Sequence, residues 1–330
     1  MAWDDLFKIR TWSLDGKRTE HISPLVQDKT WSGSYQDCAR QLSFSVRPEA
    51  LCELGGQVRL YHGADILFHG HIVRRQRDSL GETIDCTALD NGMYLKRSKL
   101  YRAVRRQTPE ALTRQLCSEF GVLPGRLAAT GAALSRNFMN VSMYQVIQTM
   151  YTLAAEQTGK KYQLRFRSNY LDVLEKAVGP ESLRLVPGEN LISCTSSDSI
   201  EDLVTRVGVY DEQSHMVRHF DAGGGYVALY GLLQEAIRAK DSETPEKRAK
   251  EILEEHGVKT TITAQCIGST KLVTGNAVVV EEPVTGTCGQ FWVTADSHSF
   301  GGGVYRTKVT LDFRNLNLMD KQTAGSVPKT

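Results

Sequence analysis

The two ends of the chain repeat one β-rich unit, and that repeat limits the fold more than any other feature of the sequence. Near the N-terminus Gly56-Gln57-Val58-Arg59-Leu60 opens a strand and Gly70 precedes a second apolar stretch at Ile72 and Val73. Ile84, Cys86 and Ala88 then alternate with polar neighbours up to Asp90. Near the C-terminus Gly275-Asn276-Ala277-Val278-Val279 opens a strand, Gly289 precedes Phe291, Trp292 and Val293, and Tyr305 to Asp312 alternates to its end. The step from Gly56 to Gly70 equals the step from Gly275 to Gly289, at fourteen residues. This spacing predicts that Gly70 and Gly289 hold equivalent places, as do Asp90 and Asp312. A duplicated β unit within one subunit suits a ring with twice as many repeats as chains, which favours an assembly part over an enzyme.

Alternation supplies the packing logic. In the last strand Tyr305, Thr307, Val309, Leu311 and Phe313 share one face, and Arg306, Lys308, Thr310, Asp312 and Arg314 share the other. Burying Val309, Leu311 and Phe313 stabilises by roughly 1.5–3 kcal/mol each, so a one-residue slip in register is strongly disfavoured. In the first copy Leu42, Phe44 and Val46 alternate in the same way, and His62-Gly63-Ala64-Asp65 and Asp78-Ser79-Leu80-Gly81 read as turns. Short amphipathic strands of this kind close into small barrels or sandwiches, which removes free edges.

Between the copies the period changes from 2 to 3.6. Thr108 with Pro109 starts a helix that carries Leu112, Leu116 and Phe120 and stops at Gly121. Ser142-Met143-Tyr144-Gln145 is a capping box, after which Val146, Ile147, Met150, Tyr151 and Ala154 trace an apolar stripe up to Gly159. Tyr162, Leu164 and Phe166 then alternate, and Ser168-Asn169 turns into a strand with Leu171 and Val173. A charged helix from an N-cap at Thr244 to Gly257 interrupts the second β region, with Ala249, Ile252 and Leu253 as its apolar seam. The predicted fold class is α+β, β-dominated, with two antiparallel β-barrel-like tube units flanking a small α/β middle domain. Its predicted bounds are 1–100, 101–188 and 189–316 with the inserted helix at 244–257, followed by a tail at 317–330.

Composition excludes several classes. With 41% hydrophobic and 24% charged residues the 330-residue chain has the make-up of a folded globular protein. A net charge of +2 creates no field suited to gripping nucleic acid, and no apolar run reaches the length of about 18 residues that spans a bilayer. Met1-Ala2-Trp3-Asp4-Asp5 is acidic where a secretory leader is basic, so no signal peptide is expected. Seven cysteines stand far apart without a CxxC pair and read as small buried hydrophobes rather than as zinc ligands or disulfides.

Candidate sites reduce to structure. His69 and His71 flank Gly70 on one strand face, as a metal site needs, but only His62 and Asp65 lie near and no third ligand is evident. Asp296, His298 and Ser299 are nearly contiguous, whereas a hydrolytic triad is assembled from separate elements. Glu281 and Glu282 are neighbours that point to opposite faces of a strand. The glycine runs at 223–225 and 301–303 match no phosphate-binding fingerprint. Lys96, Arg97, Lys99, Arg102, Arg105 and Arg106 form a basic run with no acid between Leu95 and Gln107, at the edge of the first domain. Of these, Lys96, Arg97, Arg102, Arg105 and Arg106 are the candidate inter-subunit contacts, while Gly70, Asp90, Gly289 and Asp312 define the repeat. No catalytic residue, cofactor or metal is expected.

In their order along the chain, Ile66 to Val73, Cys86 to Asp90 with Tyr94-Leu95, Ser142 to Ile147, Thr158 to Tyr162, Ser199 to Val207, and Gly286, Gly289 to Phe291, His298 and Tyr305 to Leu311 resemble the tail hub proteins of contractile phage tails and tail-like bacteriocins. The resemblance is to the PBSX-prophage and late control protein D-like type. Family members commonly carry Asn where Thr205 stands before Arg206-Val207. The resemblance implies a non-enzymatic baseplate hub: a homotrimer whose six repeats form a pseudo-hexameric ring, with the tail tube protein above and the spike protein below. Baseplate wedge or LysM-type tail proteins are the further neighbours it allows, and it implies no membrane and no specific nucleic acid. It places the chain in a virion or tailocin particle assembled in the bacterial cytoplasm. The competing reading is a cell-wall-targeted β-domain hydrolase or carbohydrate-binding module of a tail tip, for which the sequence offers no acid pair or Cys/His constellation.

Overall fold

The computed structural model of the chain describes residues 6–176, 183–239, 245–301 and 303–314, and is α+β with strands dominant. The expected N-cap Thr244 and the tail at 317–330 lie outside the described residues. The chain divides into two compact units, Met1–Cys194 with Thr263–Thr330, and Thr195–Ile262.

The first unit opens with β1 (Phe7–Trp12), β2 (Thr19–His21), β3 (Val26–Ser34), β4 (Gln41–Val46), β5 (Gln57–His62), β6 (Asp65–Arg77) and β7 (Ile84–Asp90). A middle segment follows, with α1 (Gly92–Arg97), β8 (Lys99–Gln107), α2 (Pro109–Phe120), β9 (Leu123–Leu127), β10 (Leu134–Ser142), α3 (Met143–Thr158), β11 (Tyr162–Arg167) and β12 (Tyr170–Glu175). The two longer helices start where the sequence predicts. Thr108 Oγ1 accepts from Ala111 N–H at 3.4 Å, and Ser142 and Gln145 exchange both capping-box bonds. Both helices stop at glycines in the left-handed region, Gly121 and Gly159. Leu112, Leu116, Val146, Ile147, Met150 and Tyr151 fill the core of this segment.

The chain then runs through β13 (Leu183–Leu185) and β14 (Leu191–Ser199) into the second unit, which holds β15 (Arg206–Tyr210), β16 (Met216–Asp221), α4 (Tyr226–Tyr230), β17 (Gln234–Arg238) and α5 (Pro245–Glu255). Here β15 lies between antiparallel β16 and parallel β17, and Ala249 and Ile252 of α5 pack on Val204 and Val207. The interruption of the second β region is thus a small α/β body rather than a lone helix. Thr205 is fully buried at its centre, where its hydroxyl donates to Gly231 O and accepts from Leu233 N–H, both at 2.8 Å. The first unit resumes with β18 (Lys259–Ile267), β19 (Ala277–Glu282), β20 (Thr287–Gly301) and β21 (Val304–Asp312).

One sheet of 13 strands carries both copies of the repeat, in the order β14-β18-β21-β20-β3-β4-β7-β6-β5-β1-β2, with β19 beside β20 and β13 beside β19. The run β5-β6-β7-β4-β3 of the first copy reappears as β19-β20-β21-β18-β14 in the second. Hydrogen bonds fix the correspondence residue by residue. Gly55 N–H donates to Ile72 O and Ile72 N–H to Gly56 O, and the second copy repeats both bonds between Gly275, Val293 and Asn276. Gly55 and Gly275 both adopt positive φ, 81° and 91°. A bulge follows at once in each long strand, between Ile72 and Arg74 and between Val293 and Ala295. At the far edge Arg47 N–H donates to Leu25 O, as Ile267 N–H does to Asn190 O.

This register corrects the sequence alignment. Gly70 faces Val58, and the residue that faces the equivalent Val278 is Phe291. Gly289 faces Val280 and therefore stands where the first copy has Phe68, facing Leu60. Asp312 likewise matches Leu89 rather than Asp90, because Ile72 pairs with Ala88 and Val293 with Leu311. The glycine that the backbone requires in both copies is the one preceding the strand, Gly55 and Gly275; the shared step to Gly70 and Gly289 is a coincidence of spacing. Phe313 departs from expectation too. It lies one residue past the end of β21, 67% exposed, with the Arg314 guanidinium over its ring.

Asp90 should give the fold a pH dependence. Its carboxylate is buried, accepts from Gly92 N–H at 2.8 Å, and is pushed up to about 7, chiefly by burial. As pH rises from the ordinary value of 3.8, the unfolded chain releases this proton before the folded chain does, so stability is lost through that window. Asp90→Asn keeps an acceptor for Gly92 and removes the ionisation. Urea unfolding should show the variant gaining on the parent by roughly 4 kcal/mol between about pH 4 and pH 7. A difference that stays constant with pH would refute the assignment.

Candidate functional site: the seam between the two repeats

The two copies are joined strand to strand. After its bulge β20 turns its second edge to β3, pairing Ala295 with Ser34 through to Phe300 with Lys29, and Tyr35 N–H caps the ladder on Thr294 O at 3.0 Å. Alternation along β20 sends Asp296, His298 and Phe300 inward and leaves Ser299 exposed. Phe300 and Tyr305 of the second copy thereby enter the core of the first, beside Phe7 and Trp31.

A buried polar cluster pins this seam. The Arg40 guanidinium, arriving from the short link between β3 and β4, forms a two-pronged ion pair with Asp296 and lies 4.0 Å from the Trp31 ring centre. Asp296 also accepts from Thr274 N–H at 2.6 Å and Thr274 Oγ1 at 2.7 Å, and sits 3.1 Å from His298 Nε2. The other imidazole nitrogen is 2.8 Å from Tyr305 OH and 3.2 Å from Thr307 Oγ1. Burial alone would raise the Asp296 carboxyl, but Arg40 and the His298 contact outweigh it and hold the group well below the usual carboxylate range. Burial drives the His298 imidazole down, toward the neutral form, against the pull of Asp296.

The cluster has triad-like residue types without triad chemistry. The Asp296 side chain and the whole of His298 are fully buried, and Ser299 faces the opposite side of the strand. Glu281 pairs with Arg184, while Glu282 holds the β19–β20 turn by accepting from Val284 and Thr285 N–H. His69 is buried, which pushes its imidazole down to about 4, and His71 shifts in the same direction for the same reason. Among the described residues no three His, Cys, Asp or Glu side chains converge as metal ligands would, and no helix is long and apolar enough to cross a membrane.

The basic run lies on α1 and β8. Lys96 is 3.7 Å from Asp37 and Arg102 pairs with Glu119, so two of the five candidate contacts have partners within the chain. Arg97, Arg105 and Arg106 are exposed, and Arg106 is held at φ 44° with its N–H on Ser135 Oγ. Lys96 and Arg97 border an open groove of about 660 Å³ that reaches Gly33 and Ser34 at the end of β3. The residues that make the seam, Arg40 and Thr274, carry no local sequence signal, since Arg40 is 256 positions from its partner Asp296.

A family model described as YQBQ-like matches residues 29–312, a span that begins in β3 and ends with β21. The chain belongs to this family. Comparison with curated proteins gives no match. Among solved structures the chain is similar to the 43 kDa tail protein of prophage MuSo2 from Shewanella oneidensis, at 12% identity over 95% of this chain and 100% of that one, with a TM-score of 0.69. A tail protein from Neisseria meningitidis MC58 is similar at 12% identity over 96% and 99% of the two chains, with a TM-score of 0.64. An Escherichia coli type VI secretion component, itself described as resembling the T4 bacteriophage tail proteins gp27 and gp5, is similar at 12% identity over 92% and 76%, with a TM-score of 0.52. The chain shares the fold of these tail and secretion proteins.

Proposed function

We propose that the chain is the structural hub of a contractile-tail baseplate, three copies of which close into a ring of six repeats joining a sixfold tail tube to a threefold spike. The observation that carries this reading is the seam. One chain already sets two copies of a β unit edge to edge, the arrangement a threefold ring extends to six. The fold shared with phage tail proteins supports the same role. On this reading the work is mechanical and needs no accessible nucleophile or metal, in keeping with a polar cluster that is sealed from solvent. The tail tube protein lies above the ring, the spike protein below, and wedge or LysM-type proteins at its flank; the particle assembles in the bacterial cytoplasm. The exposed Arg97, Arg105 and Arg106, together with Lys96 and Arg102, form a basic surface for an acidic neighbour.

The test is assembly. Light scattering of the purified chain and negative-stain images of native particles should give a threefold species. Reversing Arg102, Arg105 and Arg106 to glutamate should cut the count of complete particles, because charge reversal in a desolvated contact costs several kcal/mol. His298→Gln and Glu281→Gln particles that assemble should retain function. A chain that stays monomeric at micromolar concentration, with no larger species in its native particle, would overturn the reading.

A further inference from the structure

The correspondence of the two repeats leaves two strand edges unfilled. In the second copy the stretch of β20 after the bulge is covered by β3. In the first copy the equivalent stretch of β6, Arg74–Arg77, pairs with β7 on one edge and among the described residues has no strand on the other. The counterpart of β3 is β14, also nine residues long, which ends the sheet with β18 as its sole described neighbour. Where β3 buries Lys29 and Trp31, the matching positions of β14, Cys194 and Ser196, are half-buried and exposed.

We infer that β14 of one subunit adds to the free edge of β6 in the next, repeating between chains the β3–β20 pairing made within one. The partner is a second copy of this chain, and the contact rests on the ring reading above. Carrying the seam's register across sets Arg74 opposite Ser199, Arg75 opposite Asp198, Gln76 opposite Ser197 and Arg77 opposite Ser196. Ile200 takes the place of Tyr35, its N–H directed at Val73 O of the bulge. Ile200 is 45% exposed in the single chain.

The charges of the two edges are complementary. The β6 edge carries Arg74, Arg75 and Arg77, and the end of β14 leads through Asp198 to Glu201. Arg75 occupies the position of Asp296 and Asp198 that of Gly33, so the acid that Arg40 neutralises within the chain has its counterpart in a cation facing an acid across chains. Arg75 Nε makes no hydrogen bond among the described residues. Open strand edges template pairing with another chain, and a head-to-tail contact of this kind closes into a ring rather than a twofold dimer.

The experiment uses the full chain with Cys194 and Cys288, the cysteines not fully buried, changed to serine. Gln76→Cys and Ser197→Cys are introduced together, and light scattering is run beside non-reducing electrophoresis after mild oxidation. A threefold mass with a disulfide-linked ladder ending at three chains is the expected result. The out-of-register pair Gln76→Cys with Ser193→Cys should give no ladder. A threefold mass without a ladder from the in-register pair, or an equal ladder from both pairs, overturns the strand pairing and leaves the ring reading standing; a monomeric mass for variant and parent alike, with no larger species in the native particle, overturns both. Independently, Arg75→Glu should weaken association by about tenfold or more, and adding Asp198→Arg should restore it. Failure of the double variant to recover would also overturn the pairing.

Discussion

Arg40→Ala should lower the unfolding free energy by about 3–5 kcal/mol, the cost of leaving a buried carboxylate without its cation. The Asp296 side chain has no solvent exposure and that of Arg40 only 16%, so water cannot substitute for the lost partner. The Thr274 bonds remain in the variant but carry no positive charge. Arg40→Met combined with Asp296→Asn, which removes both charges and keeps an acceptor for Thr274, should recover part of the loss. Equilibrium urea unfolding of the three proteins at neutral pH measures both effects. A single variant within about 1 kcal/mol of the parent would mean that Asp296 is protonated or hydrated, contrary to its depressed titration.

Gly70→Ala should cost at least about 3 kcal/mol, because a Cβ there would stand 2.2 Å from Leu89 O and 2.7 Å from Phe68 Cζ. The carbonyl belongs to β7, so relief requires the β6–β7 ladder to shift. Gly289→Ala meets no atom within 4 Å and carries only the strain of φ +133°, on the order of 1–3 kcal/mol. Thermal unfolding of the two variants separates these cases, and a loss at Gly289 as large as that at Gly70 would contradict the open space around Gly289.

The sequence made legible what depends on near neighbours. Thr108-Pro109, Gly121 and the Ser142–Gln145 box mark helix ends within one turn, and the alternation of Tyr305 to Leu311 shows which side of β21 is buried. The repeat was visible as well, but its alignment was not. Gly56 matches Asn276 rather than Gly275, and the β19–β20 connection is one residue longer than the β5–β6 connection, since Leu60 faces Phe68 whereas Val280 faces Gly289. Equal steps from glycine to glycine therefore do not mark equal positions. The seam was hidden for a different reason. Thr274, Asp296 and Tyr305 meet within the second copy, and only the β3–β20 pairing adds Arg40, from 256 positions away. The body within 195–262 leaves little trace in the sequence, because β16 is exposed along nearly its whole length and has no apolar rhythm to read.

The first two strands of the repeat are tied very differently in its two copies. Six residues separate β3 from β4, whereas 59 separate β14 from β18. Closing a coil ten times longer costs roughly 2 kcal/mol more in chain entropy. The N-terminal copy can therefore complete its hairpin early in synthesis, while the C-terminal copy must wait for its distant strand. The inserted body shortens that wait through its own contacts, which hold Thr260 Oγ1 2.6 Å from Asp198 and Lys259 Nζ 2.6 Å from Asp202. Once folded, it presents its entry and exit strands side by side, as a turn of a few residues would. A lesion in the insertion is therefore expected to slow refolding of a sheet to which it contributes little of the core, as stopped-flow refolding of such a variant would measure.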